Sequence, residues 1–200
     1  MLDTVVFDLG NVLIPWDPER LYRKLIPDTA ERVRFLGEIC TAKWNAGQDA
    51  GRTLAEGTAL KIAEHPEYEA LIRAYYARWE EMLGEPIAGS VDLLHEVKVR
   101  GLRVLALTNW SAETFARARP MYPLLDEFEG ILVSGDEGLI KPDPAIFRLL
   151  FARYSLTPER CAFLDDSLRN VEAAAALGMK AIHFRSPEQA RADFASLGLV

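Results

Sequence analysis

Residues 3–8 read DTVVFD, and the chain continues LGNVL through residue 13. Val5, Val6 and Phe7 are an apolar, β-branched-rich run that predicts a short strand. The run stops at one carboxylate, Asp8, and a glycine stands two places later. A carboxylate at the edge of a buried strand needs a turn, a cap or a ligand to keep it there. Four more runs of this kind follow. RVLAL, from Arg103 to Leu107, ends at Thr108 and Asn109; ILVSGD starts at Ile131; CAFLDD ends at Asp165 and Asp166; AIHF starts at Ala181. All are nearly continuous in apolar residues, as strands buried on both faces of a parallel sheet are.

Helical patterns alternate with these strands. SVDLLHEVKVRG puts Val91, Leu94 and Val97 on one face and stops at Gly101. DPAIFRLLFARY opens with Asp143 as an N-cap and Pro144 in the first turn, and SLRNVEAAAALGM stops near Gly178. Strand–helix alternation predicts a doubly wound, Rossmann-like α/β sheet. Residues 15–85 break the rhythm and hold no convincing strand. Val33, Leu36, Ile39 or Cys40, and Trp44 recur at helical spacing, as do Leu71, Ile72, Tyr75, Tyr76, Trp79, Met82 and Leu83. The expected organisation is a core of residues 1–14 and 86–200 with a helical bundle, 15–85, inserted after the first strand. Its hinges are expected near Pro15 to Pro18 and Gly84 to Gly89.

Composition narrows the classes. Half of the 200 residues are hydrophobic, enough for a substantial core, and no apolar run approaches the ~18 residues of a membrane span. The net charge of −7, with no basic stripe, argues against a general nucleic-acid binder. The start, MLDTVVFDLG, has no basic region before its apolar run, so no signal peptide is expected. Cys40 and Cys161 stand alone, which argues against a disulfide framework or a zinc site and fits a cytoplasmic protein.

Ligands of open α/β sheets sit beyond the C-terminal strand ends. Asp8, Thr108, Asn109, Lys141, Asp165 and Asp166 all fall at or after such ends. Taken singly, each is ordinary turn or cap chemistry; their coincidence at one sheet edge is the signal. Three crowded carboxylates stay ionised only around a cation, and oxygen ligands without histidine favour Mg²⁺. A cation and a lysine neutralise a phosphate so that a carboxylate can approach it as a nucleophile. The residues point to phosphoryl transfer through an aspartyl-phosphate.

Four motifs in order, FDLGNV, LALTN, KPDPAIF and FLDDSLRNVEAA, make the chain resemble the haloacid dehalogenase-like hydrolase superfamily. The helical insertion looks like that family's cap. The resemblance implies Asp8 as nucleophile and metal ligand, and the backbone carbonyl of Gly10 as a second ligand. It implies Thr108 and Asn109 as phosphoryl-binding residues, and Lys141 as the group that neutralises the phosphoryl and orients Asp8. Asp166 would bind Mg²⁺ directly, with Asp165 beside it or acting through water, and Asn170 would order that loop. The implied partner is a small phosphorylated metabolite, a sugar phosphate among the options; nothing in the sequence indicates the oligomeric state.

One position departs from the pattern. Most phosphatases of the family carry a second aspartate two residues after the nucleophile, as general acid and base; here it is Gly10. Losing such a group costs roughly 10²–10⁴ in rate. The Asp-x-Gly-Asn-Val variant also resembles one found in some phosphatases of the family. A preference for good leaving groups is expected, unless a cap residue supplies the proton; Asp17 is the nearest acid in sequence. Two other readings stand beside the phosphatase. A 2-haloacid dehalogenase also lacks the second aspartate, but such enzymes usually carry an aromatic residue there and no paired acids like Asp165 and Asp166. A non-catalytic phosphate-binding protein is kept open by Gly10. No lysine of the insertion stands out as a Schiff-base former, and His65, His95 and His183 form no ligand cluster. Trp44 and Trp79 are expected in the core of the insertion, Trp16 in the hinge as a gate to the site, and Trp110 either at the site entrance or in packing.

Overall fold

The structure is a computed structural model that describes all 200 residues. Five parallel strands form one sheet: β1 (Thr4–Phe7), β2 (Arg103–Thr108), β3 (Gly130–Val133), β4 (Cys161–Asp165) and β5 (Lys180–His183), in the order β3-β2-β1-β4-β5. The chain steps outward from β1 through β2 to β3, then returns to the other side of β1 for β4 and β5. The order therefore reverses between β1 and β4, and a crevice opens beyond their C-terminal ends. Phe7 lies opposite Leu164, so Asp8 and Asp165 leave neighbouring strands side by side. The two outer strands start one residue earlier than the apolar patterns predict, and Ser134–Glu137 turns into a short helix instead of continuing the ILVSGD strand.

Successive strand residues point to opposite faces, and both faces are covered. Val5, Phe7 and Ala106 pack under α6 (Ala88–Val99) and α11 (Pro187–Ser196), joined there by the insertion. Val6, Leu105, Leu107 and Phe163 pack under α9 (Pro144–Tyr154) and α10 (Leu168–Ala176). In α9 the Asp143 carboxylate accepts the Ala145 N–H at 2.8 Å, and Pro144 opens the first turn as predicted. Ile146, Phe147 and Leu150 of that helix are wholly buried, each worth about 1.5–3 kcal/mol. The Phe147 ring meets Phe163 edge-on at 5.5 Å.

Between β1 and α6 every element is helical: α1 (Glu19–Leu25), α2 (Thr29–Arg34), α3 (Ala42–Asp49), α4 (Leu54–Glu64) and α5 (Glu69–Ala77). Tyr22, Phe35, Trp44, Tyr75 and Tyr76 form its aromatic centre, with ring centroids 4.9–6.2 Å apart. One expectation fails here. Val33 is 58% exposed and Leu36 only half-buried; Arg32 and Phe35 point inward instead. A π-helical turn at Phe35–Ile39, closed by the Cys40 N–H on the Phe35 carbonyl at 3.0 Å, adds a residue to the turn and rotates the apolar face out of its 3.6-residue period. The two passages between insertion and sheet run side by side, with Trp16 bridged to Leu83, Asp17 N–H on the Met82 carbonyl and Gly84 N–H on the Pro15 carbonyl. No helix is long and apolar enough to cross a membrane.

Gly135, just after β3, lies against the loop that follows β2. Its N–H donates to the Trp110 carbonyl at 3.0 Å. A Cβ there would stand 2.3 Å from the Ala112 nitrogen and 2.8 Å from the Trp110 oxygen, both backbone atoms that cannot swing aside. Gly135→Ala is expected to cost about 1–3 kcal/mol by overpacking, a fall in Tm of roughly 2–12 °C for a chain of this size. An unchanged Tm in a thermal melt would show that this approach is looser than described.

Candidate active site

Asp8 follows β1 with its N–H still bonded to the Leu164 carbonyl at 2.8 Å. Its Oδ1 accepts the Leu9 N–H at 2.7 Å and lies 3.0 Å from Lys141 Nζ. Oδ2 accepts no hydrogen bond from the chain. Residues 9–14 then close a tight turn in which Asn11 takes a positive φ of 55° and its side-chain oxygen accepts the Trp16 N–H. The Leu9 and Ile14 carbonyls accept N–H groups within that turn, whereas the Gly10 carbonyl accepts none. No atom lies within 4 Å of where a Gly10 Cβ would stand.

Lys141 is wholly buried. Its ammonium donates to the Leu107 carbonyl at 2.8 Å and to Asp165 Oδ2 at 2.7 Å, besides facing Asp8. Burial opposes its charge, but Asp8 and Asp165 outweigh that and raise its pKa. The Asp165 carboxylate is fully engaged: Oδ1 accepts the Ser167 N–H at 2.8 Å, and both oxygens accept from the Asn170 amide at 3.0 and 3.1 Å. Asn170 thus orders this loop. Asp166 is half-buried beside it, and Asp8, Asp165 and Asp166 each place an oxygen within 4.8 Å of the others. Burial raises the pKa of Asp8, helped by the charges of Asp165 and Asp166 and opposed by Lys141. Asp166 is raised for the same reasons, burial first.

Of the sequence-derived residues, Asp8, Gly10, Asn109, Lys141 and Asp166 line one cavity of about 350 Å³, within the range of small-metabolite sites. Two do not reach its wall. Thr108 is buried at the end of β2, and Asp165 lies behind Lys141. The Asn109 side chain also has a role within the fold. Its oxygen accepts the Lys141 N–H at 2.8 Å and its amide donates to the Lys141 carbonyl at 2.9 Å. The carboxamide holds the lysine loop with its oxygen and one N–H, and its second N–H is left for a phosphoryl oxygen in the cavity that Asn109 lines. Asp17 is not in the cavity; its carboxylate accepts the Glu19 N–H at the start of α1. Trp79, expected only in the core of the insertion, lines the cavity and meets Trp110 at 5.6 Å.

Sequence patterns do not show the rest of the cavity wall. Ala42, Asn45 and Asp49 of α3 line it, with Thr114 of α7 (Ala112–Ala118) and Arg169 at the start of α10. Helical spacing alone would have put Asn45 and Asp49 on one face, four residues apart, but not told which face meets the sheet edge.

The sequence profile of the haloacid dehalogenase-like hydrolases matches residues 2–178, and the chain belongs to that family. It is 29% identical over 178 residues to the sesquiterpene phosphatase astK of Aspergillus oryzae, covering 89% of this chain and 87% of that one. It is 31% identical over 188 residues to a phosphorylated carbohydrates phosphatase of Thermotoga maritima, 91% of this chain and 84% of that one. The solved structure of a HAD family enzyme of Bacteroides thetaiotaomicron, an aspartate-to-alanine variant in complex with magnesium and inorganic phosphate, superposes with a TM-score of 0.71 at 23% identity. That match covers 92% of this chain and 95% of that one. The chain is therefore a hydrolase, and its phosphatase relatives support phosphoric monoester chemistry.

Proposed function

We propose that this protein is a cytoplasmic, Mg²⁺-dependent phosphatase of the Asp-x-Gly-Asn-Val kind that hydrolyses a small phosphorylated metabolite through an aspartyl-phosphate on Asp8. Residues 1–14 and 86–200 would be its hydrolase core, and 15–85 a helical cap. The observation that carries the reading is the placement of one buried ammonium, Lys141, 3.0 Å from Asp8 and 2.7 Å from Asp165, with Asp166 left unpaired beside them. That leaves a carboxylate nucleophile, a fixed positive charge for a phosphoryl oxygen, and open oxygen ligands.

The donor set fits a hard divalent cation. Asp8, Asp166 and the Gly10 carbonyl all carry oxygens that the chain leaves without donors or only half-satisfied, whereas Asp165 has none to spare. When bound, the cation supplies charge neutralisation for the phosphoryl group and for the acids around it. The chain does the rest. Lys141 balances phosphoryl charge, the loop after β2 frames the cavity, and Asp165, Asn109 and Asn170 keep the lysine and the acids in place. A carbohydrate or another apolar-faced leaving group would meet Trp16, Trp79 and Trp110 in the cavity wall. No basic stripe suits nucleic acid, and a single small molecule fills the volume.

Hydrolysis of p-nitrophenyl phosphate tests this reading. The rate is expected to fall about 100-fold or more in EDTA and to return with Mg²⁺, and saturating Mg²⁺ is expected to raise Tm by linkage. Turnover that ignores EDTA, together with halide release from 2-chloropropionate, would replace the phosphatase with a dehalogenase.

A further inference from the structure

The residue two places after the nucleophile is Gly10, which has no side chain to move a proton, and Asp17 is engaged at the start of α1 and does not line the cavity. The cavity wall carries three carboxylates: Asp8, Asp166 and Asp49. Asp8 and Asp166 belong to the phosphoryl end. Asp49, the last residue of α3 in the insertion, lines the same cavity. A phosphorus attacked by Asp8 in line expels its leaving oxygen on the side away from Asp8, toward the insertion. We infer that Asp49 is the general acid and base that stands in for the side chain missing at Gly10. This inference rests on the phosphatase reading above.

The geometry holds Asp49 in place. Its own carbonyl accepts the Ser134 hydroxyl at 2.6 Å, which pins the end of α3 to the helix after β3. Its Oδ2 accepts the Asn45 amide at 3.0 Å, and Asn45 is in turn fixed by the Tyr76 hydroxyl at 2.9 Å. Lys98, Arg103, Arg117, Arg153 and the other paired cations take other partners, so no ion pair commits this carboxylate to the charged form. Burial pushes its carboxyl up to about 7, against the pull of the Ser111 backbone amide and the Asn45 side chain, and a group near the working pH is the one suited to both proton steps.

The steps balance as follows. The Asp8 oxygen forms a bond to phosphorus as the bond to the leaving oxygen breaks, and the Asp49 carboxylic proton passes to that oxygen to give the alcohol. Asp49, now a carboxylate, then takes a proton from water as the water oxygen bonds to phosphorus and the Asp8–phosphorus bond breaks. Inorganic phosphate leaves, Asp8 is again a carboxylate and Asp49 again an acid.

The test compares Asp49→Asn with the parent chain on p-nitrophenyl phosphate and on β-glycerol phosphate, with Mg²⁺. The nitrophenolate leaves without a proton, and the alkoxide does not. The variant is expected to lose about 10²–10⁴-fold in kcat/KM on the alkyl ester and less than about 10-fold on the aryl ester. Its kcat is expected to fall on both, because they share the aspartyl-phosphate whose hydrolysis needs the base. Adding Gly10→Asp to Asp49→Asn is expected to restore much of the alkyl activity, since the space at Gly10 is open. Equal losses in kcat/KM on the two esters, or an unchanged alkyl rate, would overturn the inference alone. No Asp8-dependent hydrolysis of either ester by the parent chain would remove the phosphatase reading, and this inference with it.

Discussion

Lys141→Met is expected to lower stability by about 3–5 kcal/mol, a fall in Tm of roughly 6–20 °C, and to remove turnover at the same time. Its side chain is wholly buried and its ammonium has three acceptors: the Leu107 carbonyl, Asp165 and Asp8. Methionine fills the space but leaves two buried carboxylates, Asp8 and Asp165, with no cation from the chain. Removing one member of a buried ion cluster costs more than the cluster contributes, because the charges left behind lose both water and partner. Lys141→Arg is not a conservative repair, since a planar fork cannot take the place of a point ammonium with acceptors on three sides. The double variant Asp8→Asn, Lys141→Met is expected to cost less than the sum of the two single changes, the mark of a shared network. Thermal melts of the four proteins measure this; additive losses would mean that the Lys141–Asp8 contact is energetically idle.

The second large effect is on chemistry alone. Asp8→Asn is expected to cut kcat by roughly 10⁴-fold or more, with Tm held or raised. The carboxylate is the bond-forming group, so its amide cannot substitute. Yet burial and the neighbouring acids make its charge unfavourable in the folded protein, and Lys141 keeps Asp165 as a partner. The fold therefore loses little when the charge is removed. Steady-state assays on p-nitrophenyl phosphate beside a melt separate the two quantities. A variant that is both inactive and unfolded would show that Asp8 is a structural ion, and one that retains turnover would show that it is not the nucleophile.

The parts of the fold readable in sequence were those set by period and punctuation. Continuous apolar runs placed the strands because both faces of each are covered, and Asp143–Pro144 and Gly178 marked helix ends through local backbone chemistry. The placement of Asp8, Asn109 and Asp166 at one cavity is readable because β1, β2 and β4 all end at the same sheet edge. What a sequence pattern does not show is a turn that breaks its period, or a contact distant in sequence. Val33 was assigned inward by a 3.6-residue period that the π-turn at Phe35–Ile39 interrupts. No local pattern shows that the Asn109 amide also holds Lys141, thirty-two residues later. Asp49 carries no local signal either: its neighbours Asn45 and Gln48 are ordinary helix residues, and α3 docks through the Asp49 carbonyl on Ser134, eighty-five residues later.

Turnover through Asp8 requires a covalent aspartyl-phosphate. Rapid mixing with p-nitrophenyl phosphate and Mg²⁺, an acid quench within the first turnover, and peptide mass spectrometry test it directly. The predicted result is a phosphoryl group on Asp8 that forms as nitrophenol appears and decays as phosphate is released. Nitrophenol release with no phosphoryl on Asp8 at any quench time, or with the phosphoryl on another side chain, would contradict it.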